Sequence, residues 1–419
     1  MHALEKILAR NCGREKVAAG EIVNAKVDFA EINDLYLQTV YSFKEMGGKK
    51  IWDKDRAAFV FDHYAPAPTI QSAKIHSEMR QFAIENDLTW HFDINAGVCH
   101  QVMPEAGVIY PGMIVVATDS HTTTHGAFGA FGTGVGATDM ATILMSGELW
   151  FRVPEIIEIR LEGQLGEGVY PKDVILHVLG KIKADGAVYK GIDFTGSYVQ
   201  GLDISGRMAI CNMAVEMGAK TAYMQPNQKV LDYVTPRAVR PFEVVSTDPD
   251  FVYAENHVFD ISVLSPQLAV PHSVDNVRPI DEVESIPVNQ GFIGTCTGGR
   301  TEDIAIAANI LRGKKIPKYV RLVLIPASAE IMRDCLAKGY IQDLVDAGAT
   351  LSTPGCGPCL GAHEGVIAPG EVCITASNRN FPGRMGSTGA ELYLASPATV
   401  AASVLNGRIT DPRTLSSSK

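Results

Sequence analysis

The chain has little of what marks membrane, exported or nucleic-acid-binding proteins. No uninterrupted apolar stretch approaches the roughly 18 residues of a membrane span. Residues 1–21 are charged throughout and lack the apolar core of a signal peptide, so we expect a cytoplasmic protein. The net charge is −10 and there is no run of Lys and Arg, which argues against a nucleic-acid partner. The eight cysteines are scattered and do not suggest a disulfide framework.

Aromatic residues are also scarce, at 7%, whereas glycine occurs 39 times. Together with 419 residues and a hydrophobic content of 46%, this composition predicts an aliphatic α/β protein of two or three domains. The glycine-rich segment 125–136 lacks both the dinucleotide fingerprint and a P-loop, so we predict a tight turn there and no nucleotide site.

Strand-like and helix-like patterns alternate along the chain. Such alternation predicts βαβ units and at least partly parallel sheets. Strands are predicted at 21–30, 57–61, 88–94, 113–117 and 321–325. Helices are predicted at 3–11, 69–86, 170–184, 207–217, 302–311 and 329–338.

Three cysteines lie beside Gly, Thr or Pro: Cys296, Cys356 and Cys359. The Cys-x-x-Cys pair alone could be a redox dithiol, half of a zinc site completed by His363, or part of an iron–sulfur site. Three thiolates could hold a cubane and leave one iron open to react. The other five cysteines are predicted to be small buried hydrophobic residues: Cys12, Cys99, Cys211, Cys335 and Cys373.

Histidines with acidic neighbours follow three predicted strands or turns: His63 after Asp62, His100, and His121 two residues after Asp119. Sites of α/β folds lie at the carboxyl ends of strands. A carboxylate can orient an imidazole and raise its pKa, which makes the imidazole a usable proton donor. The alternative for any one pair is a solvated turn.

Two arginines share one loop, Arg379 and Arg384. Guanidinium groups bind carboxylates in bidentate fashion, so beside a metal site this pair predicts a dicarboxylic acid substrate. Alone, the pair could be two surface arginines.

These segments resemble the aconitase superfamily, specifically the large subunits of its 3-isopropylmalate dehydratase, homoaconitase and dialkylmalate dehydratase branch. The likeness covers nearly the whole chain. It rests on five motifs in the family's order: DSHT (119–122), CNMAVE (211–216), FIGTCT (292–297), PGCGPCLG (354–361) and NRNFPGRMG (378–386). The resemblance implies three α/β/α domains of the aconitase type around a central Fe–S cluster, without the family's swivelling fourth domain. We expect them at 1–154, 155–280 and 281–419, the last carrying the cysteines.

The resemblance also implies one [4Fe–4S] cluster per subunit, with one iron not ligated by protein. It implies reversible dehydration of a 2-hydroxy acid without net redox chemistry. The implied cluster ligands are Cys296, Cys356 and Cys359, and the residues beside the cluster are Asn212 and Asn378. The implied catalytic residues are Asp62 with His63, which protonates the departing hydroxyl, His100 with Asp119, and His121 with Glu216. The implied substrate-binding residues are Ser120, Asn33, Arg379 and Arg384.

One part of the family's machinery is missing from this sequence. The serine that removes the carbon-bound proton belongs to the swivelling domain, and the chain continues for only 35 residues after Arg384. We therefore expect a separate small subunit that carries this domain and serine, with the present chain inactive alone. Regulatory RNA binding, found among some aconitase relatives, is disfavoured by the acidic charge.

The sequence departs from the family at two places. Where the branch has Thr-His-Asp or Ala-His-Asp and a short turn, this chain has Ile-Asn-Asp followed by Leu-Tyr-Leu at 32–37. Where the family usually has Cys-Thr-Asn, this chain has Cys-Thr-Gly298. Larger apolar side chains disfavour a third substrate carboxylate, whose desolvation is costly. We therefore favour 3-isopropylmalate, with methyl-substituted malates (2,3-dimethylmalate or 2-methylmalate) as the alternative and homoaconitase chemistry next.

Overall fold

The computed structural model describes residues 1–283 and 285–415. The strands of the described residues are β1 (Ile22–Lys26), β2 (Phe29–Asn33), β3 (Ala57–Val60), β4 (Trp90–Phe92), β5 (Ile114–Ala117), β6 (Phe131–Gly134), β7 (Glu148–Arg152), β8 (Ile156–Glu162), β9 (Gly191–Thr195), β10 (Thr221–Tyr223), β11 (Glu255–Asp260), β12 (Gln267–Ala269), β13 (Val277–Pro279), β14 (Gln290–Gly294), β15 (Arg321–Ile325), β16 (Ala349–Leu351), β17 (Val372–Thr375) and β18 (Glu391–Leu394).

The α-helices connect these strands or cover the sheets, and short 3₁₀ segments occur at Ser120–Phe128, Met213–Met217 and Gly357–Leu360 among others. The helices are α1 (Ala3–Asn11), α2 (Leu37–Glu45), α3 (Ile70–Glu85), α4 (Cys99–Glu105), α5 (Ala137–Ser146), α6 (Pro171–Ile182), α7 (Ser197–Gly201), α8 (Ile204–Asn212), α9 (Gln228–Val234), α10 (Thr295–Gly298), α11 (Thr301–Leu311), α12 (Ala329–Ala337), α13 (Tyr340–Ala347) and α14 (Pro397–Asn406). None of these helices is both long and apolar enough to cross a membrane.

Three sheets organise the molecule, and the α/β prediction is confirmed. The first has the order β4-β3-β2-β5-β6 and is parallel throughout. The second, β10-β9-β8-β11, is also parallel. The third, β13-β12-β18-β17-β14-β15-β16, is parallel from β18 to β16 and antiparallel at β12 and β13. Strands β1 and β7 form a separate antiparallel ribbon.

The sheets follow one another along the chain, within 29–134, 156–260 and 267–394. The expected division near residue 154 falls between the first and second sheets. The expected division at 280 falls after β12 and β13, which already pair with the third sheet.

Two predicted elements differ from the structure. The alternating segment 21–30 contains two strands: β1 pairs with β7, and after a turn at Val27-Asp28, β2 enters the centre of the first sheet. The predicted helix 207–217 is α-helical only to Asn212 and continues as a 3₁₀ turn that ends at the left-handed Gly218. Among the five cysteines predicted to be buried, Cys12 is half-buried, and the other four are buried.

A chain of hydrogen bonds ties α4 to the third sheet. Arg300 Nε donates to Gln101 Oε1 at 3.0 Å, and Gln101 Nε2 donates to Glu105 Oε1 at 2.8 Å. Ser328 Oγ, which follows β15, donates to the same carboxylate at 2.7 Å. Because α4 also carries His100, this chain of bonds fixes that histidine relative to the segment after β14.

We predict that Glu105 makes the protein less stable as the pH rises from about 4.5 to 7. Burial raises the pKa of Glu105 to about 7. In the unfolded chain the carboxyl ionises from about pH 4.5, so over this interval the native state binds more protons and stability falls with pH. The total loss is on the order of 3 kcal/mol.

The Glu105→Gln variant should remove most of this slope when the free energy of unfolding is measured from pH 4.5 to 7.5. The exposed Glu45→Gln change serves as the charge-matched control. The same slope in wild type and Glu105→Gln would contradict the prediction.

Candidate active site

The loop after β3 places a histidine–carboxylate pair at the edge of the first sheet. His63 Nδ1 donates to Asp62 Oδ1 at 2.7 Å, and the other Asp62 oxygen accepts from the Cys99 backbone N–H at 2.9 Å. These bonds fix the tautomer of His63, so its Nε2 points towards Asp119 Oδ2, 3.6 Å away. Burial opposes protonation of His63, but Cys356 and Asp62 raise its pKa well above the ordinary value.

Asp34 supports this loop from β2. Its carboxylate accepts from the backbone N–H groups of His63 at 3.0 Å and Tyr64 at 2.8 Å, and from His76 Nε2 at 2.9 Å. Burial acts to raise the pKa of Asp34, yet the bond from His76 and the nearby His63 keep it below the ordinary value. Sequence reasoning missed this role, although Asp34 belongs to the segment that was compared with the family.

The loop after β5 supplies Asp119, the partner of His100 on α4, and His121, which belongs to a third pair. His100 Nε2 donates to Asp119 Oδ1 at 2.9 Å, and the His121 backbone N–H donates to the same oxygen at 2.7 Å. His121 Nε2 donates to Glu216 Oε1 at 2.7 Å. Burial acts to raise the pKa of Asp119, but His100 and His121 hold it well below the ordinary value. The structure thus brings together the His100–Asp119 and His121–Glu216 pairs that the resemblance implied.

The two arginines reach the same place from the third sheet. Arg379 Nε donates to Glu216 Oε1 at 2.8 Å and its terminal nitrogen donates to Ser120 Oγ at 3.0 Å. Arg384 lies 3.6 Å from the sulfur of Cys359 through a terminal nitrogen, and its buried Nε has no hydrogen-bond partner among the described residues. Arg384 therefore keeps a donor free beside the cysteine.

Two of the three cysteines contact one amide, and the third lies close to both of them. Asn378 Nδ2 lies 3.5 Å from Cys296 Sγ and 3.2 Å from Asn212 Oδ1, while Asn378 Oδ1 lies 3.7 Å from Cys359 Sγ. Cys356 shares a buried cluster with Cys296 and is linked to Cys359 by a 3₁₀ turn. The three residues are 5–8% exposed. Burial raises the pKa of Cys296 to about 12, so a metal that replaces the proton is needed to make this sulfur a thiolate.

This donor set fits an iron–sulfur cluster better than a mononuclear zinc ion. His363, the candidate fourth zinc ligand, donates through Nε2 to the Pro66 carbonyl at 2.6 Å. Within residues 1–283 and 285–415, His363 and the three cysteines do not form a set of ligand atoms close enough to share one ion. Amide and guanidinium N–H groups aimed at sulfur are the contacts that stabilise a cluster.

A cleft of about 450 Å³ opens over these groups. Its wall includes six of the residues predicted for the site: His63, Asp119, Ser120, His121, Arg379 and Arg384. Leu35 and Tyr36 also line it, as does Lys220, for which no sequence motif gave a signal.

Asn33, which we predicted to bind substrate, is not among the residues that line this cleft. It is fully buried, and its Oδ1 accepts from the Leu35 backbone N–H at 3.3 Å. Its backbone N–H donates to Thr118 Oγ1 at 3.0 Å. Asn33 therefore shapes the turn that presents Leu35 and Tyr36.

Comparison with known proteins agrees with this geometry. Residues 37–407 match the model of the Aconitase family (aconitate hydratase). The chain belongs to the aconitase family. It is 50% identical to the 3-isopropylmalate dehydratase large subunit 1 of Methanopyrus kandleri, over 98% of both chains. It is 48% identical to a protein of Methanothermobacter thermautotrophicus named "Probable methanogen homoaconitase large subunit", over 99% of this chain and 98% of that one.

Among solved structures, the crystal structure of Thermococcus kodakaraensis aconitase X is similar, with a TM-score of 0.51 over 90% of this chain and 89% of that chain. At 11% identity this likeness shows the fold alone. The fold is thus of the aconitase type, and family membership with these relatives identifies a hydro-lyase. The family also implies a [4Fe–4S] cofactor, for which the cysteines are present.

The departure at Gly298 has a steric reason in this chain. A Cβ at position 298 would lie 2.4 Å from Ala376 Cβ and 3.0 Å from the Ala376 carbonyl oxygen. The asparagine common in the family cannot be accommodated here unless α10 moves away from β17.

We predict that Gly298→Ala destabilises the chain by about 1–3 kcal/mol, the usual cost of overpacking, and Gly298→Asn by more. Urea unfolding of the two variants would measure this loss. Gly166→Ala is the matched control, because a Cβ there meets nothing within 4 Å. Equal stability of Gly298→Ala and wild type would refute the steric explanation.

Proposed function

We propose that this chain is the cluster-bearing large subunit of an Fe–S hydro-lyase that dehydrates and rehydrates an alkyl-substituted malate, with 3-isopropylmalate as the leading substrate. One observation carries the proposal. Two arginines and one member of each of three histidine–carboxylate pairs line a single cleft, and one of the arginines, Arg384, also contacts the sulfur of Cys359. The similarity to 3-isopropylmalate dehydratase large subunits supports the choice of substrate.

In this proposal Cys296, Cys356 and Cys359 hold the cluster, and Asn378 and Arg384 donate to their sulfurs. When bound, the cluster would supply a Lewis-acidic iron that carries no protein ligand. The chain's own residues provide the rest of the chemistry: they bind carboxylates, orient the substrate and move protons.

His63 is the proposed acid. Its Nδ1 proton is held by Asp62, so the protonated ring presents its Nε2 proton to the cleft, where a departing hydroxyl can accept it. Asp119 faces the same nitrogen and also holds His100 and the backbone of His121. Asp62 at Nδ1 and Asp119 at Nε2 therefore both oppose a small rotation of the His63 ring, so the Nε2 proton keeps one direction in the cleft.

Arg379, Arg384 and Ser120 are the proposed carboxylate-binding groups. Glu216 accepts from Arg379 Nε, so this guanidinium is held in a fixed orientation while its terminal nitrogens remain at the cleft. The Arg384 Nε–H has no acceptor in the part of the chain that the structure describes. Two cations at fixed positions suit a dicarboxylate.

The wall formed by Leu35 and Tyr36 favours an alkyl group on the substrate. An apolar wall cannot compensate a third carboxylate for its lost hydration, whereas it gains by contact with alkyl carbons. This favours 3-isopropylmalate or a methyl-substituted malate over citrate and homocitrate.

The remaining parts of the proposal concern assembly and location. The large-subunit names of the relatives support a small-subunit partner, to which we assign the swivelling domain and the catalytic serine. We retain as a proposal the three-domain division at 1–154, 155–280 and 281–419, in which β12 and β13 are the part of the second segment that pairs with the third sheet. A cytoplasmic location suits eight cysteines that are all free of disulfides.

Cofactor content is the first test. The chain, purified without oxygen, should carry about four irons and four sulfides. Cys296→Ser, Cys356→Ser and Cys359→Ser should each lower this content and abolish dehydratase activity measured with the co-expressed small subunit. Cys12→Ser, half-buried and outside the cleft, is the control. Stoichiometric zinc without sulfide would contradict the proposal. A loss of activity confined to Cys356→Ser and Cys359→Ser would favour a redox dithiol.

Substrate choice is the second test. We expect wild-type enzyme to prefer 3-isopropylmalate when kcat/KM is compared with 2,3-dimethylmalate, 2-methylmalate, citrate and homocitrate. Tyr36→Ala should shift the ratio between alkyl and tricarboxylic substrates by about tenfold, because it removes apolar wall from the cleft. The exposed Tyr319→Ala is the matched control. Equal rates of wild type on citrate and 3-isopropylmalate would disprove the role given to this wall.

A further inference from the structure

A buried lysine on α6 has no part in the chemistry described so far. Lys172, in the first turn of α6, is 2% exposed. Its Nζ donates to the carbonyl oxygens of Ala376 at 3.0 Å and Ser377 at 2.6 Å. Within the described part of the chain, it forms no ion pair with a carboxylate.

Such an arrangement is costly for the protein. A buried ammonium normally has an anionic partner, because neutral carbonyls replace only part of its hydration. Burial accordingly lowers the pKa of Lys172 to about 8, while Cys296, Asp303, Cys359 and Glu216 act in the opposite direction. Two of these four acidic groups are predicted cluster ligands.

The carbonyls that Lys172 binds do not require a charge. Thr297 Oγ1 also donates to the Ala376 carbonyl, at 2.9 Å, so a neutral donor can satisfy that oxygen. The two carbonyls immediately precede Asn378 and Arg379, which contact Cys296 and Glu216. A lysine here therefore holds the loop and also brings a positive charge to the segment that contacts Cys296.

We propose that Lys172 is a positioning residue that provides the counter-charge for the cluster and anchors the loop of Asn378 and Arg379. The inference rests on the proposed function. Three thiolates make the surroundings of a bound cluster negative, and a buried cation nearby stabilises that charge in a medium of low dielectric constant. The same charge favours the reduced state of the cluster over the oxidised state.

The test uses three variants of the full chain, purified without oxygen. Lys172→Met removes the charge at similar length, Lys172→Gln removes the charge but keeps an N–H donor, and Lys172→Arg keeps the charge. The exposed Lys181→Gln, on the same helix, is the matched control. The readouts are iron and sulfide content, the rate of iron release to a chelator, and the reduction potential followed by electron paramagnetic resonance.

We expect Lys172→Met and Lys172→Gln to release iron about tenfold faster than wild type and to show a more negative reduction potential. Lys172→Arg and Lys181→Gln should stay close to wild type in both measurements. Without the cluster, the two neutral variants should fold, with unfolding midpoints within about 5 °C of the wild-type apo chain.

Three results would overturn the inference. The first is unchanged iron release and potential in both neutral variants. The second is a neutral variant that cannot fold as the apo chain, since the ammonium would then serve the fold and not the cofactor. The third is a wild-type chain without iron and sulfide, and only this result would overturn the proposed function as well.

Discussion

One carboxylate, Glu216, joins the three layers of the molecule at the site. Glu216 follows α8, in the region of the second sheet. Its Oε1 accepts from His121 in the region of the first sheet and from Arg379 in the region of the third sheet. Burial acts to raise the pKa of Glu216, but His121 and Arg379 keep it below the ordinary value. Because one buried oxygen accepts from both donors, a shift of either the first or the third sheet region would leave a buried charge unpaired. The cleft therefore exists only in the assembled chain.

Local sequence signals were sufficient for part of this site. Asp62, Asp119 and Cys296 each follow a strand, and parallel strands bring such positions to one edge. The boundary between β1 and β2 was not predictable in this way, because period-two alternation continues through the turn that separates them. Lys172 gave no signal either, since its partners lie about 200 residues away and are backbone carbonyls.

The departures from the family show which constraints are chemical and which are steric. Gly298 lies two residues after Cys296, and a Cβ at this position would lie 2.4 Å from the Ala376 Cβ, which is a steric constraint. At residues 33–36, the asparagine has become a turn former below the cleft, and two apolar side chains form its wall. The three cysteines and the histidine–carboxylate pairs are retained beside both changes. In the proposed enzyme, the cleft wall and the local packing can therefore vary while the groups proposed to react stay in place.

The proposed cofactor and substrate would both meet buried cations that lack anionic partners. Lys172 has no carboxylate partner among the described residues, and Arg384 keeps a buried N–H without an acceptor. Cys296, by contrast, is a neutral thiol in the folded chain, because burial raises its pKa to about 12. Buried cations that lack anionic partners are unfavourable. In the proposed enzyme, thiolates bound to iron and a bound dicarboxylate would supply the missing anions, so part of the binding energy would come from charges that the fold leaves uncompensated.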